Sequence, residues 1–266
     1  MIKVLSEVKS VINRVISKQR EKIWLSPIAA CASAEDPLFE ELKKVVAPDH
    51  ALPQDLLPEA KSVIVYFLPF QHEICSDNAG YFPVASRKWA EAYVITNRLI
   101  TEINERLKEF FKKFGYTSST TPATHNFDEK RLVSRWSHKH VGYIAGLGTF
   151  GINRLLITMS GCCGRLGSII TEATIEPTKR PDKEYCLEKS GQSCLKCVRR
   201  CPVEALSGRQ FDRQSCYKRL LDNDKLYPDL PLTDVCGQCS CNVPCSHTAP
   251  AIQSVSELTL DDQAKR

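Results

Sequence analysis

Nine of the chain's thirteen cysteines fall within sixty residues, from Cys186 to Cys245. The first four are spaced Cys186-x7-Cys194-x2-Cys197-x3-Cys201, and Pro202 follows. The ending Cys-x2-Cys-x3-Cys-Pro is an iron–sulfur ligand run. Two residues between cysteines let a tight turn aim both thiolates at one cluster, while the cysteine three further on, stopped by proline, points away to a second. One motif therefore implies two 4Fe–4S clusters.

Two such clusters need about eight thiolates, and the second half of the segment supplies Cys216, Cys236, Cys239, Cys241 and Cys245. By the crossed ligation of two-cluster ferredoxins, Cys186, Cys194 and Cys197 share one cluster with distant Cys245, and Cys201 joins Cys216, Cys236 and Cys239 on the other. Cys241 is then surplus. Because Cys241-x3-Cys245 also has ferredoxin spacing, the sequence leaves open whether Cys239 or Cys241 is the ligand. Paired Cys-x2-Cys motifs can also hold zinc, but the x3 step and its proline are not a usual zinc spacing. A disulfide scaffold belongs to short chains in oxidised compartments. Here there is no signal peptide and no apolar run near 18 residues, so a cytoplasmic protein off the membrane is expected.

At 266 residues and 42% hydrophobic content the chain is long enough for one large domain or two. Its net charge of +5 is unevenly placed: residues 179–225 carry twelve Lys and Arg against seven Asp and Glu. Eight thiolates and two cubanes leave about −4 of charge, which these cations would offset. A patch for a nucleic-acid phosphate backbone is the competing reading.

Hydrophobic spacing predicts an amphipathic helix over 2–19 and a helix from Asp36-Pro37 to about Val46, with Asp36 as cap. A buried strand is expected over 61–67 and a polar, turn-rich stretch over 71–85. A long helix over 86–114 capped by Gly115 and a strand over 166–175 follow. The boundary to the cluster segment is expected near 176–181, giving an α/β domain over 1–178, the cluster domain over 179–248 and a tail over 249–266.

Between the long helix and the clusters lie the candidate site residues. His125, Asp128, His138 and His140 are candidate proton donors, set against surface or hydrogen-bonding duty. His138 and His140 are two apart and cannot form an i, i+4 metal pair on a helix. The run Ala-Gly-Leu-Gly-Thr-Phe-Gly over 145–151 lets a flat ligand approach the backbone, or makes a tight turn. It lacks the preceding strand and the acid of a dinucleotide site. Cys162-Cys163 reads either as two small buried side chains or as a redox or cofactor-facing pair.

Taken together, the strand Lys-Ser-Val-Ile-Val-Tyr from Lys61, the glycine run 145–151, the Leu-Gly-Ser-Ile-Ile-Thr strand from Leu166 and the double cysteine segment resemble the epoxyqueuosine reductases and, more distantly, the reductive dehalogenases. The resemblance covers roughly residues 55–246. It implies an α/β (α+β) nitroreductase-like domain binding cobalamin, followed by a two-cluster bacterial ferredoxin-like domain that passes electrons to cobalt. Thr120, Thr121, Gly146, Gly148, Thr149, Phe150, Gly151 and Ser168 would then line the corrinoid pocket. An electron donor such as ferredoxin or flavodoxin is implied as partner.

Departures from the family shape the expected function. Epoxyqueuosine reductases carry a catalytic aspartate before an Ala-Pro step, and the matching stretch 118–123 holds no carboxylate. The chain ends at Arg266 without the family's C-terminal extension for tRNA, so a small-molecule substrate is expected and tRNA is not. In this it resembles short paralogues of anaerobic bacteria. Two functions stay open: a cobalamin-dependent reductase, and an electron-transfer module without its own substrate.

Overall fold

The computed structural model describes residues 2–123, 127–208 and 210–252. His125 lies outside them. The chain divides into two compact units, the first made of Met1–Gln71, Glu91–Leu147 and Gly164–Arg180, the second of His72–Ala90, Gly148–Cys163 and Pro181–Arg266.

In the first unit, α1 (Ile2–Ser17) buries Val8, Val11, Ile12 and Val15 and packs against β1 (Ile28–Ser33). That strand reads Ile-Ala-Ala-Cys-Ala-Ser, whose small residues carry little strand preference. Helix α2 (Leu38–Val45) starts where Asp36 Oδ1 accepts the Leu38 N–H at 3.0 Å, and it buries Phe39 and Leu42. The single turn α3 (Pro53–Leu56) is held by Asp55, which accepts from the Leu52 N–H at 2.8 Å. Strand β2 (Ser62–Pro69) is buried at all eight positions, as its unbroken apolar run predicts.

The stretch expected to be turns instead forms α4 (His72–Gly80), which belongs to the second unit. Next comes α5 (Arg87–Lys113), closed by Gly115 at φ +82°. Then follow β3 (Ser118–Thr120), the hairpin of β4 (Phe127–Asp128) with β5 (Val133–Ser134), and the short helix α6 (His138–Ile144). In the second unit β6 (Gly148–Phe150) pairs with β7 (Leu156–Thr158). The chain returns to the first unit as β8 (Gly164–Thr171). Finally α7 (Lys196–Arg199) and α8 (Arg213–Asp224) lie in the second unit.

The main sheet runs β1-β2-β8-β3, antiparallel throughout. Its alternation shows why β2 is buried on both faces. Tyr66 lies opposite Gly167, where a Cβ would strike the Tyr66 ring, and its hydroxyl donates to Asn104 Oδ1 of α5 at 2.8 Å. One residue on, Val65 pairs with Ser168, whose hydroxyl meets Trp136 and His138 at the start of α6. So α5 covers one face and α6 the other. Strand β8 stops at Thr171, short of the expected 175, because hydroxyls replace the ladder: Ala173 N–H donates to Thr171 Oγ1 and Ile175 N–H to Ser62 Oγ.

The second unit has a modest apolar core of Ile157, Cys162, Tyr185, Cys186 and Ala249. Much of its order comes from side chains that bond backbone. Asn223, fully buried, takes the Ala85 N–H on Oδ1 and donates to Val235 O at 2.7 Å. Gln238, also fully buried, donates to Asn78 O and Val84 O, both at 2.7 Å.

Candidate metal centre

Cys186, Cys194 and Cys197 line one recess together with Cys245, which is distant in sequence, and the recess has an empty volume of about 320 Å³. Burial pushes the Cys197 thiol up to about 12, and Cys245, Cys186 and Cys194 add to the effect. Burial likewise holds Cys239 well above the usual thiol range, and the neighbouring thiols of Cys236, Cys216, Cys197 and Cys201 add to the effect. One group of four thus shares a recess, and three further thiols are near Cys239. Cys197 is a neighbour of both groups. Such thiols stay protonated on their own, and a cluster that takes them as thiolates must displace their protons.

The loops that carry them are fixed locally. Gly237 sits at φ +71°, and a Cβ there would enter the Trp89 ring. Glycine is therefore needed twice over in Cys236-Gly-Gln-Cys239. Arg200 donates to Gln238 Oε1 at 2.6 Å, to Gln238 O and to Ala79 O, while Arg199 donates to Cys194 O at 2.9 Å. These two cations of the basic segment are spent on the cysteine loops themselves. The Ala205 N–H donates to Cys201 Sγ at 3.1 Å, the kind of N–H···S bond that stabilises a reduced cluster.

The cysteines left over by this grouping are Cys31, Cys75, Cys162, Cys163 and Cys241. Cys31 lies in β1, its thiol pushed up to about 12 by burial. Cys162 approaches Cys245 at 3.9 Å between sulfurs. Cys75, Cys163 and Cys241 form a group of their own, with all three Sγ atoms within 4.8 Å of one another and all three residues buried. Cys163 Sγ donates to Ser240 O at 2.9 Å, and Asn78 Nδ2 donates to Cys241 Sγ at 3.4 Å. Burial alone would raise the Cys241 thiol, but contacts with Cys163 and Cys75 and hydrogen bonds with Asn78 and Ser240 pull it below the usual thiol range. Two of these residues stood out in the sequence, Cys163 for its pairing and Cys241 as a surplus thiol. Cys75 did not, because it sits in a helix without a clear apolar period.

The other sequence candidates are largely committed elsewhere. Asp128 is exposed and caps the β4–β5 turn, accepting from the N–H groups of Lys130 and Arg131 at 2.9 Å and from Arg131 Nε at 3.1 Å. The Arg131 backbone and guanidinium hold its carboxyl below the usual range, which leaves it no proton to give at neutral pH. His140 meets Ser137 Oγ at 2.7 Å. Ser168 is 1% exposed and accepts from Trp136 Nε1. Thr149 accepts the Tyr185 N–H at 2.8 Å. Each glycine of the loop has a protein neighbour: Lys179 O beside Gly146, the Ile157 carbonyl beside Gly148, and the Asn153 side chain beside Gly151. Thr121 differs. Its Oγ1 is buried with no hydrogen-bond partner.

His138 is buried between two fixed partners, so its ring takes one form. Nε2–H donates to Pro122 O at 3.0 Å, and Nδ1 accepts from Ser168 Oγ at 3.0 Å. Burial, helped by the Arg165 charge, lowers its pKa from 6.5 to about 4. The unfolded chain therefore binds a proton that the folded one refuses. The resulting stability is complete above pH 6.5 and is lost as pH falls through 4. Between about pH 7.5 and about pH 5 it should fall by about 2 kcal/mol. Urea unfolding of wild type and His138→Gln at both values checks this: the gap between them should shrink at the lower pH, and a constant gap would refute it.

No protein-family model matches the chain. An epoxyqueuosine reductase from Bacillus cereus is 29% identical over 188 residues, which are 66% of this chain and 44% of that protein. The chain thus spans less than half the length of that relative. In fold it is similar to the epoxyqueuosine reductase of Streptococcus thermophilus, with TM-score 0.57 and 17% identity over 89% of this chain and 64% of that one. An epoxyqueuosine reductase solved with an epoxyqueuosine-modified tRNA stem loop gives TM-score 0.51 and 18% identity over 88% and 64% of the two chains. That neighbour runs against the expectation that sets tRNA aside. A reductive dehalogenase whose structure suggests a mechanism for B12-dependent dehalogenation gives TM-score 0.55 and 14% identity over 88% and 36%. In sequence the chain is similar to an epoxyqueuosine reductase, and in fold it is similar to epoxyqueuosine reductases and reductive dehalogenases, the two families that its cysteine run and glycine loop resemble.

Proposed function

We propose that this chain is an iron–sulfur reductase in which two 4Fe–4S clusters relay single electrons from a low-potential donor, of the ferredoxin or flavodoxin class, to an acceptor. One cluster is held by Cys186, Cys194, Cys197 and Cys245, the other by Cys201, Cys216, Cys236 and Cys239. The observation that carries the reading is the recess that brings Cys245 to Cys186, Cys194 and Cys197. The donor set fits the group, since four thiols around one opening are the ligands that a cubane takes. Cys241 lies with Cys75 and Cys163, which favours Cys239 as the eighth ligand.

The chain's own residues then do three things. Cys197, whose thiol neighbours both groups, would lie between the two clusters. The Ala205 N–H and the cations Arg199 and Arg200 offset the negative charge that each reduction adds. Gln238 and Asn78 fix the loop so that little reorganises when the charge changes. Among the described residues no helix is long and apolar enough to cross a membrane.

The similarity to a B12-dependent dehalogenase makes a corrinoid the acceptor to test first. Thr121, with its buried unpartnered hydroxyl, fits such a ligand. The remaining candidates fit less well, because the glycine positions are filled by protein and Ser168 and Thr149 are already bonded. These filled positions favour the second reading, an electron carrier that serves a partner. Anaerobic titration of the iron-loaded protein with cob(II)alamin, read by electron paramagnetic resonance, separates the two. Loss of the nitrogen hyperfine splitting from the lower base supports a cobalamin-dependent reductase. An unchanged spectrum at saturating protein supports the carrier.

A further inference from the structure

Three buried cysteines from three separate parts of the sequence meet in the second unit, apart from the eight assigned to clusters. Cys75 comes from α4, Cys163 from the end of the turn after β7, and Cys241 from the loop after Cys239. Their relative exposures are 2%, 0% and 0%, and their sulfurs lie within 4.8 Å of one another. The Cys163 to Cys241 separation is 3.9 Å. A single ion bonded to sulfur at about 2.3 Å sets its thiolates about 3.8 Å apart in tetrahedral geometry and about 4.0 Å apart in trigonal geometry. The group matches this spacing. A cubane, which takes each thiolate on a different iron, needs its ligands further apart.

The surroundings are those of a ligand shell. Asn78, fully buried, directs Nδ2 at Cys241 Sγ while Oδ1 takes the Ser86 N–H at 2.9 Å, so its orientation is fixed. Such N–H donors orient and stabilise a bound thiolate. The Cys163 N–H donates to Ser246 O at 3.0 Å, which fixes the turn that carries its thiol. Thiolates select soft ions.

We propose that Cys75, Cys163 and Cys241 bind one thiophilic ion, zinc(II) or copper(I), through their three thiolates at a site separate from both iron–sulfur clusters. Binding displaces the protons of the thiols, including the Cys163 proton now given to Ser240 O, and forms three metal–sulfur bonds with no change of oxidation state. The site would tie α4 to the Cys162-Cys163 turn and to the cysteine loop. It does not depend on what the clusters reduce.

The test is elemental analysis of the full chain, purified anaerobically from medium supplied with iron, zinc and copper, alongside Cys75→Ser and Cys163→Ser. About one equivalent of zinc or copper per chain is expected in wild type and less than about a tenth in each variant, with iron unchanged. Unchanged iron also shows that the variants fold. X-ray absorption at the edge of the bound metal should show three sulfurs at about 2.3 Å. Absence of both metals from wild type overturns the proposal, and so does iron that falls in step in Cys75→Ser and Cys163→Ser, which would make the trio part of cluster binding.

Discussion

Replacing Cys197 by alanine should halve the iron bound per chain, from about eight to about four atoms, and leave one reduced-cluster resonance where wild type shows two. Cys197 is 6% exposed and has Cys186, Cys194 and Cys245 as neighbouring thiols, so its loss takes one thiolate of four from a recess whose one carboxylate, Glu188, already accepts the Cys194 N–H at 2.9 Å. Cys162 is the one thiol near enough to compete, at 3.9 Å from Cys245. Cys197→Ala/Cys162→Ala should therefore bind no more iron than Cys197→Ala alone. Cys31→Ala is the matched control: its thiol is as buried, it belongs to the other unit, and its removal should leave the iron content of wild type. Full iron in Cys197→Ala would end the proposed ligand assignment.

The parts of this chain that could be read from sequence are those with a strong local signal. The unbroken apolar run of β2 and the long apolar period of α5 each specify a structure within a few residues of themselves. What escaped has no local signal. Strand β1 is built of alanines and a cysteine and exists because it pairs with β2 along its whole length. Helix α4 buries only Ile74, Cys75 and Asn78, and two of those three serve polar or sulfur contacts. Cys75, Cys163 and Cys241 are separated by up to 166 positions (241 − 75), and nothing but the fold brings them together. The glycine loop shows the opposite failure, a strong signal with more than one cause. Its glycines admit a flat ligand in principle, but Lys179 O and the Ile157 carbonyl already occupy the space beside Gly146 and Gly148.

Gly237→Ala tests whether the same logic, backbone in place of ligand, positions the second cluster. At φ +71° an alanine costs about 1–2 kcal/mol of backbone strain. The larger effect is steric, because the new Cβ would lie within the Trp89 ring. Trp89 is 8% exposed at the start of α5 and cannot swing into solvent without opening the core around it. The loop must move instead, and Gln238 moves with it, breaking bonds to Asn78 O and Val84 O and releasing Cys236 and Cys239 from their places. Loss of about half the iron is expected, now from the cluster that Cys197→Ala leaves intact. Gly191 supplies the comparison, since it has φ +90° and open space where its Cβ would be. Gly191→Ala should show the conformational cost alone and keep its iron. Equal iron loss in the two variants would mean that positive φ, rather than the Trp89 ring, holds the loop. Recovery of iron in Gly237→Ala/Trp89→Ala would assign the effect to the ring.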